Sequence, residues 1–161
     1  MKFFKVLILL LFLIKCNMFS NTKQNKSLEP APMEKIAEAF SKKMSGSGNR
    51  LIVLSFTNAD GKENTLGNIF AEKLTTELVK KGNFIVLDRM LYLKKLQENQ
   101  LSMSSGNTLS DIRKIGEILE LKAVVSGIIT VYNSGYGLNC RLIDPKTGLI
   151  ISAEESFYAG E

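Results

Sequence analysis

The chain has 161 residues, of which 45% are hydrophobic and 23% charged, so it can bury one hydrophobic core of ordinary size. It has no histidine and only two cysteines, Cys16 and Cys140, which excludes Ser-His-Asp and Cys-His nucleophile systems and most zinc sites. The net charge of +5 includes Lys2, Lys5 and Lys15 at the N-terminus. The rest of the chain has 18 basic and 16 acidic residues, and its net charge of +2 argues against a nucleic-acid partner.

The N-terminal segment has the organisation of an export signal. Two lysines precede an unbroken apolar run over residues 6–14, which as a helix spans about 14 Å and is too short to cross a bilayer. Leu13 and Cys16 then occupy the −3 and +1 positions of a bacterial lipobox, although Lys15 replaces the small residue that this pattern prefers. We therefore predict a signal peptide over residues 1–15 and lipidation of Cys16. Conventional cleavage a few residues later and an uncleaved anchor are the alternatives.

Residues 16–32 are predicted to form the lipidated start of the exported chain and a flexible tether. The segment is rich in Asn, Lys and Ser and closes on Pro30 and Pro32. Residues 17–31, fifteen in all, would reach about 50 Å fully extended and about 20 Å as a random coil. That reach would hold an α/β interaction domain, residues 33–161, clear of a membrane surface.

Helix and strand patterns alternate through the first half of this domain. The predicted elements are an amphipathic helix over residues 33–44, a strand over 51–56, a helix over 65–81, a strand over 84–87 and a helix to about residue 99. Gly82 is the predicted C-cap of the second helix, and Asp88 is the predicted N-cap of the third, whose Leu93 and Leu96 face inward. The apolar face of the first helix either packs on the domain, which we favour, or binds a partner.

The second half combines one more helix with a β-meander. A loop is predicted over residues 102–107, and Thr108 with Asp111 resembles a capping box that opens the next helix. The β pattern over residues 122–132 has Ala123, Val125, Ile129 and Val131 on one face and Val124, Ser126, Ile128, Thr130 and Tyr132 on the other. A turn over 133–137, a strand over 137–143, a turn over 144–148 and a strand over 149–158 complete it.

These patterns predict a single α/β domain. Its mixed sheet has about five strands, ends in a C-terminal antiparallel meander, carries three to four helices and is preceded by a signal segment.

Few residue patterns point to chemistry. Asp60 and Glu63 share a loop with Asn58 and Asn64, which allows a weak cation site but favours a solvated loop. Gly46 and Gly48 precede a strand rather than a helix, so they form neither a phosphate loop nor a dinucleotide fingerprint.

Two further positions are interpreted as structural. Asp88 and Arg89 follow a strand end, where active sites of α/β folds lie, but a helix cap followed by a surface charge is favoured. Cys140 is expected to be a buried strand residue. We therefore predict no catalytic, cofactor-binding or metal-binding residues and no enzymatic activity, with a histidine-free hydrolase as the remote alternative.

The ordered motifs resemble a known family. They are the run over residues 51–56, Asn58 and Gly61, Leu66-Gly67, Glu77-Leu78, the run over 84–89, Leu96-x-Glu98, Ile115-Gly116, the run over 123–127, the run over 141–144 and Thr147-Gly148. Together they resemble the periplasmic α/β domain shared by the curli-secretion lipoprotein CsgG, the flagellar outer-membrane protein FlgO and the LpoB-type activators of penicillin-binding proteins, with a related domain in TolB.

The resemblance implies a non-catalytic lipoprotein at the periplasmic face of the outer membrane, which binds an envelope protein partner. Curli-type members form a multimeric pore with additional membrane-spanning hairpins, and this chain has no pair of alternating segments to spare for them. We therefore expect a FlgO- or LpoB-like accessory role in assembly or regulation of a cell-envelope machine. The alternative is a self-associating subunit of a CsgG-like secretion assembly, which would make the chain a homo-oligomer.

Overall fold

The computed structural model describes residues 31–101 and 109–159 of the chain. Their elements, in chain order, are α1 (Pro32–Lys43), β1 (Asn49–Val53), β2 (Thr57–Asn58), α2 (Thr65–Lys81), β3 (Phe84–Val86), α3 (Arg89–Glu98), α4 (Leu109–Ile118), β4 (Ala123–Tyr132), β5 (Gly135–Ile143) and β6 (Ile150–Ala159). The predicted fold class is confirmed. The predicted signal segment and Cys16, nearly all of the predicted tether, the loop over 102–107 and Thr108 lie outside the described residues.

The strands form one mixed sheet in the order β3-β1-β4-β5-β6, and the short β2 pairs with β4 beyond the end of β1. β1 runs parallel to both of its neighbours, because each is reached through a helical crossover, whereas β4, β5 and β6 are joined by tight turns and run antiparallel. The meander predicted for the C-terminal third is therefore confirmed.

Helices α1 and α2 cover one face of this sheet. α2 contributes side chains that repeat every four residues, and α1 packs its apolar face beside them, so the first helix packs on the domain as favoured from the sequence. The buried side chains of this layer include Ile36, Phe40, Phe70, Leu74, Leu78, Leu51, Val125, Leu138 and Cys140.

Helices α3 and α4 cover the other face over β1 and the first part of β4. The sequence pattern turns Leu93 and Leu96 inward, and the structure buries Leu96 fully and Leu93 partly. Tyr92, which the pattern did not single out, is also fully buried, and its hydroxyl donates a hydrogen bond of 3.3 Å to the carbonyl of Val53. Burial raises the pKa of Tyr92 to about 12.

The first strand ends earlier than predicted. β1 stops at Val53, although the next three residues are as deeply buried as the strand itself. The chain advances four residues from Val53 to Thr57, whereas their partners on β4, Val125 and Ile128, are three apart. One residue must therefore leave the ladder between β1 and β2. Sequence periodicity cannot show this because five of the six residues from Leu51 to Phe56 are apolar and the run has no alternation.

Helix ends follow the predicted caps. Gly82 ends α2 in the left-handed region at φ 80°, and the Asp88 carboxylate accepts hydrogen bonds from the backbone N–H groups of Met90 and Leu91. The side chain of Asn64 caps the start of α2 by accepting from the N–H of Gly67 at 2.8 Å.

The first turn of the meander is shorter than predicted. It consists of Asn133 and Ser134 alone, and Gly135 already pairs with Tyr132 in β5. The sequence interpretation placed this glycine-containing stretch in a turn because glycine is the usual turn residue. Here Gly135 is the first residue of β5, and Gly137 belongs to the strand as predicted.

Candidate interaction surface

The polar loop at the carboxyl end of β1 is engaged in contacts within the domain. Asn64 donates a hydrogen bond of 2.5 Å to the side-chain oxygen of Asn58, and Asp60 pairs with Lys62 at 3.2 Å. Hydrogen bonds from Lys62 lower the pKa of the Asp60 carboxyl. Within residues 31–101 and 109–159, no group of three acidic or thiol side chains could hold a metal ion.

Arg89, the first residue of α3, contacts both this loop and α2. Its guanidinium donates to the side-chain oxygen of Asn68 on α2 at 2.8 Å and lies 3.8 Å from the carboxylate of Glu63. Asp88 therefore caps the start of α3, and Arg89 connects α3 with α2. Both side chains are bound to the domain rather than turned toward a pocket.

Cys140 lies in the middle of β5 with no exposed surface, as predicted. Burial raises the pKa of its thiol to about 12, and the nearby Glu154 carboxylate acts in the same direction. A buried thiol that stays protonated at neutral pH is a poor nucleophile.

The second half of the meander leaves one sheet face bare. α3 and α4 cover Val124 but do not reach the later residues of β4, so the face that the sequence pattern assigned to Ile128, Thr130 and Tyr132 is exposed. Residues paired across antiparallel strands turn to the same face, which extends this surface over β5 and β6. We call this surface the meander face; it comprises Ile128, Thr130, Tyr132, Asn139, Arg141, Ala153, Glu155 and Phe157.

An aromatic pair lies at one end of the meander face. The ring centroids of Tyr132 and Phe157 are 6.2 Å apart, and both side chains are about half exposed, at 53% and 47%. They flank Gly137, where an added Cβ would meet the Tyr132 ring at 2.8 Å. The missing side chain lets the ring of Tyr132 lean over the strand, and together these residues line a shallow depression. Exposed aromatic rings beside a depression are typical of protein-binding surfaces.

The meander face also carries two charges that are not neutralised locally. Arg141 on β5 and Glu155 on β6 are exposed, and neither forms an ion pair within the part of the chain that the structure describes. Free charges next to apolar side chains can orient an incoming partner.

The sequence pattern separated the two faces of β4 but could not say which part of each would be covered. That depends on where α3 and α4 end relative to β4, which is a tertiary property. Among the described residues, no helix is long and apolar enough to cross a membrane.

The chain is similar to known proteins in both sequence and fold. The family model of the FlgO protein matches residues 33–161. The LpoB C-terminal domains from Salmonella enterica and Escherichia coli each superpose with a TM-score of 0.67 at 20% identity, covering 80% of this chain and 96% of theirs. The lipoprotein GNA1162 from Neisseria meningitidis superposes with a TM-score of 0.53 at 15% identity, covering 70% of this chain and 81% of its own. No curated protein sequence matches the chain.

Proposed function

The chain belongs to the FlgO protein family, and on that premise we propose that it is a non-catalytic, lipid-anchored protein of the bacterial cell envelope that binds protein partners. Its role would be accessory, in assembly or regulation of an envelope machine. The observation that carries the proposal is the meander face, where half-exposed Tyr132 and Phe157 share a surface with Arg141 and Glu155, two charges that form no ion pair within residues 31–101 and 109–159.

The polar groups of the domain support a binding role over catalysis. The polar side chains at the carboxyl end of β1 are engaged with one another, with Asn58 and Asn64 hydrogen-bonded and Arg89 held by Asn68. The buried Cys140 thiol is held in its protonated form, since its pKa is raised to about 12. Arg141 and Glu155, which form no ion pair with any residue that the structure describes, lie instead on the meander face, which is a surface rather than a reaction cavity.

The proposed anchor rests on Cys16 and the segment that precedes it. An apolar run of signal-peptide length ends two residues before this cysteine. A single lipid chain gives only marginal membrane affinity, so a stably anchored chain needs the multiple acylation typical of bacterial lipoproteins. By analogy with its family, we place the anchored chain at the periplasmic face of the outer membrane, where the tether would let the domain reach partners.

Metabolic labelling with a fatty-acid analogue tests the anchor. We expect label on the wild type and on Cys140→Ala, and none on Cys16→Ala, because Cys140 is buried within the folded domain. Equal labelling of Cys16→Ala, or an unlabelled wild type, would contradict lipidation at this site.

Site-specific photocrosslinking in cells tests the partner. A photoreactive residue at Thr130 lies on the meander face, and one at Thr76 lies on the exposed side of α2 as a matched control. We expect crosslinks to another envelope protein from Thr130 and not from Thr76. Crosslinks from Thr130 only to a second copy of the chain would favour the self-associating secretion subunit, and equal crosslinking from both positions would remove the meander face from the proposal.

A further inference from the structure

β6 is a long edge strand with one side unpaired. Its ten residues, Ile150–Ala159, pair with β5 along one side, and within residues 31–101 and 109–159 no backbone hydrogen bond reaches its other side. The opposite edge of the sheet, β3, has only three residues. Unpaired N–H and C=O groups along an edge form a template for another strand.

Strand register identifies the residues that present this template. Tyr132 and Gly135 close a two-residue hairpin turn, and such closing pairs exchange hydrogen bonds. The alternation of an antiparallel ladder then directs the backbone groups of Ala153, Glu155 and Phe157 away from β5. The side chains of these three residues belong to the meander face, so a strand added here would extend that face.

The charges of β6 disfavour pairing between two copies. An antiparallel pair of β6 strands sets residues of the same backbone orientation opposite each other, so a pairing centred on the strand would place Glu154 opposite Glu154 or Glu155 opposite Glu155 of the other copy. Like charges directly opposite each other destabilise a strand pair. β6 contains no basic residue, so the two carboxylates complement a basic strand instead.

We propose that the free edge of β6 binds an extended segment of a protein partner that carries two adjacent basic residues flanked by apolar ones. The basic pair would lie opposite Glu154 and Glu155, one on each face of the sheet, since successive side chains alternate. Glu155 is exposed on the meander face, whereas Glu154 is half-buried on the face where α1 packs and accepts a hydrogen bond of 3.1 Å from Ser152. An apolar residue two positions away would lie opposite Phe157, which is half exposed. The inference deepens the proposed function and rests on it, because it names the chemistry of the protein partner.

Peptide binding to the full chain in detergent tests the charge requirement. Two fluorescent peptides as long as β6 are built from valine and threonine, one with a central lysine pair and one with a central glutamate pair. By fluorescence anisotropy we expect the lysine peptide to bind at least about tenfold more tightly. The variant Glu154→Lys with Glu155→Lys should reverse this preference. Equal affinity for both peptides, or no binding of either, would overturn the proposal.

A proline on the edge tests the backbone requirement. Ala153→Pro removes an N–H that points away from β5 and blocks an incoming strand, while the ladder to β5 is kept. We expect lysine-peptide affinity to fall by about tenfold or more with an unchanged melting temperature, and Ala153→Val to bind as the wild type does. Undiminished binding by Ala153→Pro would contradict strand addition, and if that variant is unstable, the charge-reversal pair decides.

Sedimentation velocity without peptide tests whether a second copy of the chain binds the edge of β6 instead. A monomer supports the proposal, whereas a dimer that Ala153→Pro dissociates would assign the edge to a second copy and overturn it. Photocrosslinks from Thr130 to an envelope protein, combined with failed peptide binding, would remove the edge interaction and leave the proposed function standing.

Discussion

At the residue scale, Gly67 allows the start of α2 to lie directly against the chain that follows β1. A Cβ built at this position would lie 1.9 Å from the carbonyl oxygen of Phe56 and 2.8 Å from its carbonyl carbon. Phe56 also donates its N–H to the carbonyl of Gly67 at 3.4 Å. The two backbone segments are therefore in direct contact, and a methyl group would force the helix away from the sheet.

We expect Gly67→Ala to lower the free energy of unfolding by about 2–3 kcal/mol, because backbone atoms cannot yield as a flexible side chain can. Urea denaturation followed by circular dichroism measures this. Gly61→Ala is the matched control, since nothing lies within 4 Å of its added Cβ and only its φ of 81° is unfavourable, costing about 1 kcal/mol. A Gly67→Ala variant no less stable than Gly61→Ala would contradict the close approach.

The buried thiol of Cys140 makes stability depend on alkaline pH. The pKa of this thiol is about 12 in the folded chain and 9.0 for an ordinary thiol. Below pH 9 the thiol is therefore protonated in both the folded and the unfolded chain, and it does not lower the free energy of unfolding. Above pH 9 the thiol ionises in the unfolded chain first, and the free energy of unfolding falls by up to about 1.4 kcal/mol per pH unit until the folded thiol also ionises.

We expect Cys140→Ala to flatten this dependence between pH 9 and about 11. The slope is the informative quantity, because loss of the side chain lowers stability by a similar amount at every pH. Denaturant melts of both proteins across this range give the comparison. Parallel curves for wild type and variant would show that ionisation of Cys140 is not coupled to unfolding.

At the element scale, α1 is an integral layer of the domain. Its residues Met33, Ile36, Ala37 and Phe40 are almost completely buried against α2 and β6. Met44 donates its N–H to the carbonyl of Phe40 and ends the helix. Lys42 pairs with Glu38 across one exposed turn, which contributes little beside the apolar face.

Phe40→Ala should therefore cost about 3–5 kcal/mol, because it leaves a cavity between α1, α2 and the sheet. Lys43→Ala, on the exposed side of the same helix, should change stability by less than about 0.5 kcal/mol. Thermal and urea unfolding provide the measurement. A small effect of Phe40→Ala would mean that α1 is detached from the domain in solution and free to bind a partner.

At the scale of the whole molecule, the sheet joins two apolar layers into one folding unit. Successive residues of β1 and β4 alternate between them, so Val125 belongs to the layer of α1 and α2 and Val124 to that of α3 and α4. Neither layer can be lost without unpairing strands that the other layer requires.

We accordingly expect one cooperative unfolding transition. Leu54→Ala weakens the layer of α3 and α4, and Leu74→Ala weakens the layer of α1 and α2; both leucines are fully buried. Each variant should accelerate amide exchange in α2 and α4 alike, as measured by mass spectrometry. Exchange accelerated only in the helix beside the substitution would instead indicate two independently unfolding layers.

Local features of the sequence determined most of the fold. The four-residue repeat of α2, the caps at Gly82 and Asp88 and the two-residue alternation of β4 are consequences of backbone geometry that adjacent residues express directly. The mixed sheet followed from the element order. The meaning of Cys16 likewise rests on the sequence, where its position after an apolar run predicts lipidation.

Only the tertiary structure decided which of these surfaces are free. The alternation of β4 shows that Ile128 and Val124 share a face, but only the extent of α3 and α4 buries Val124 and leaves Ile128 exposed. Arg89 is a second example. The local sequence shows only that it follows a strand, whereas the tertiary structure shows that its guanidinium donates a hydrogen bond to Asn68 on α2. A sheet face or a strand edge is covered by residues that are distant in the sequence, so the pattern of neighbouring residues cannot predict whether it is covered.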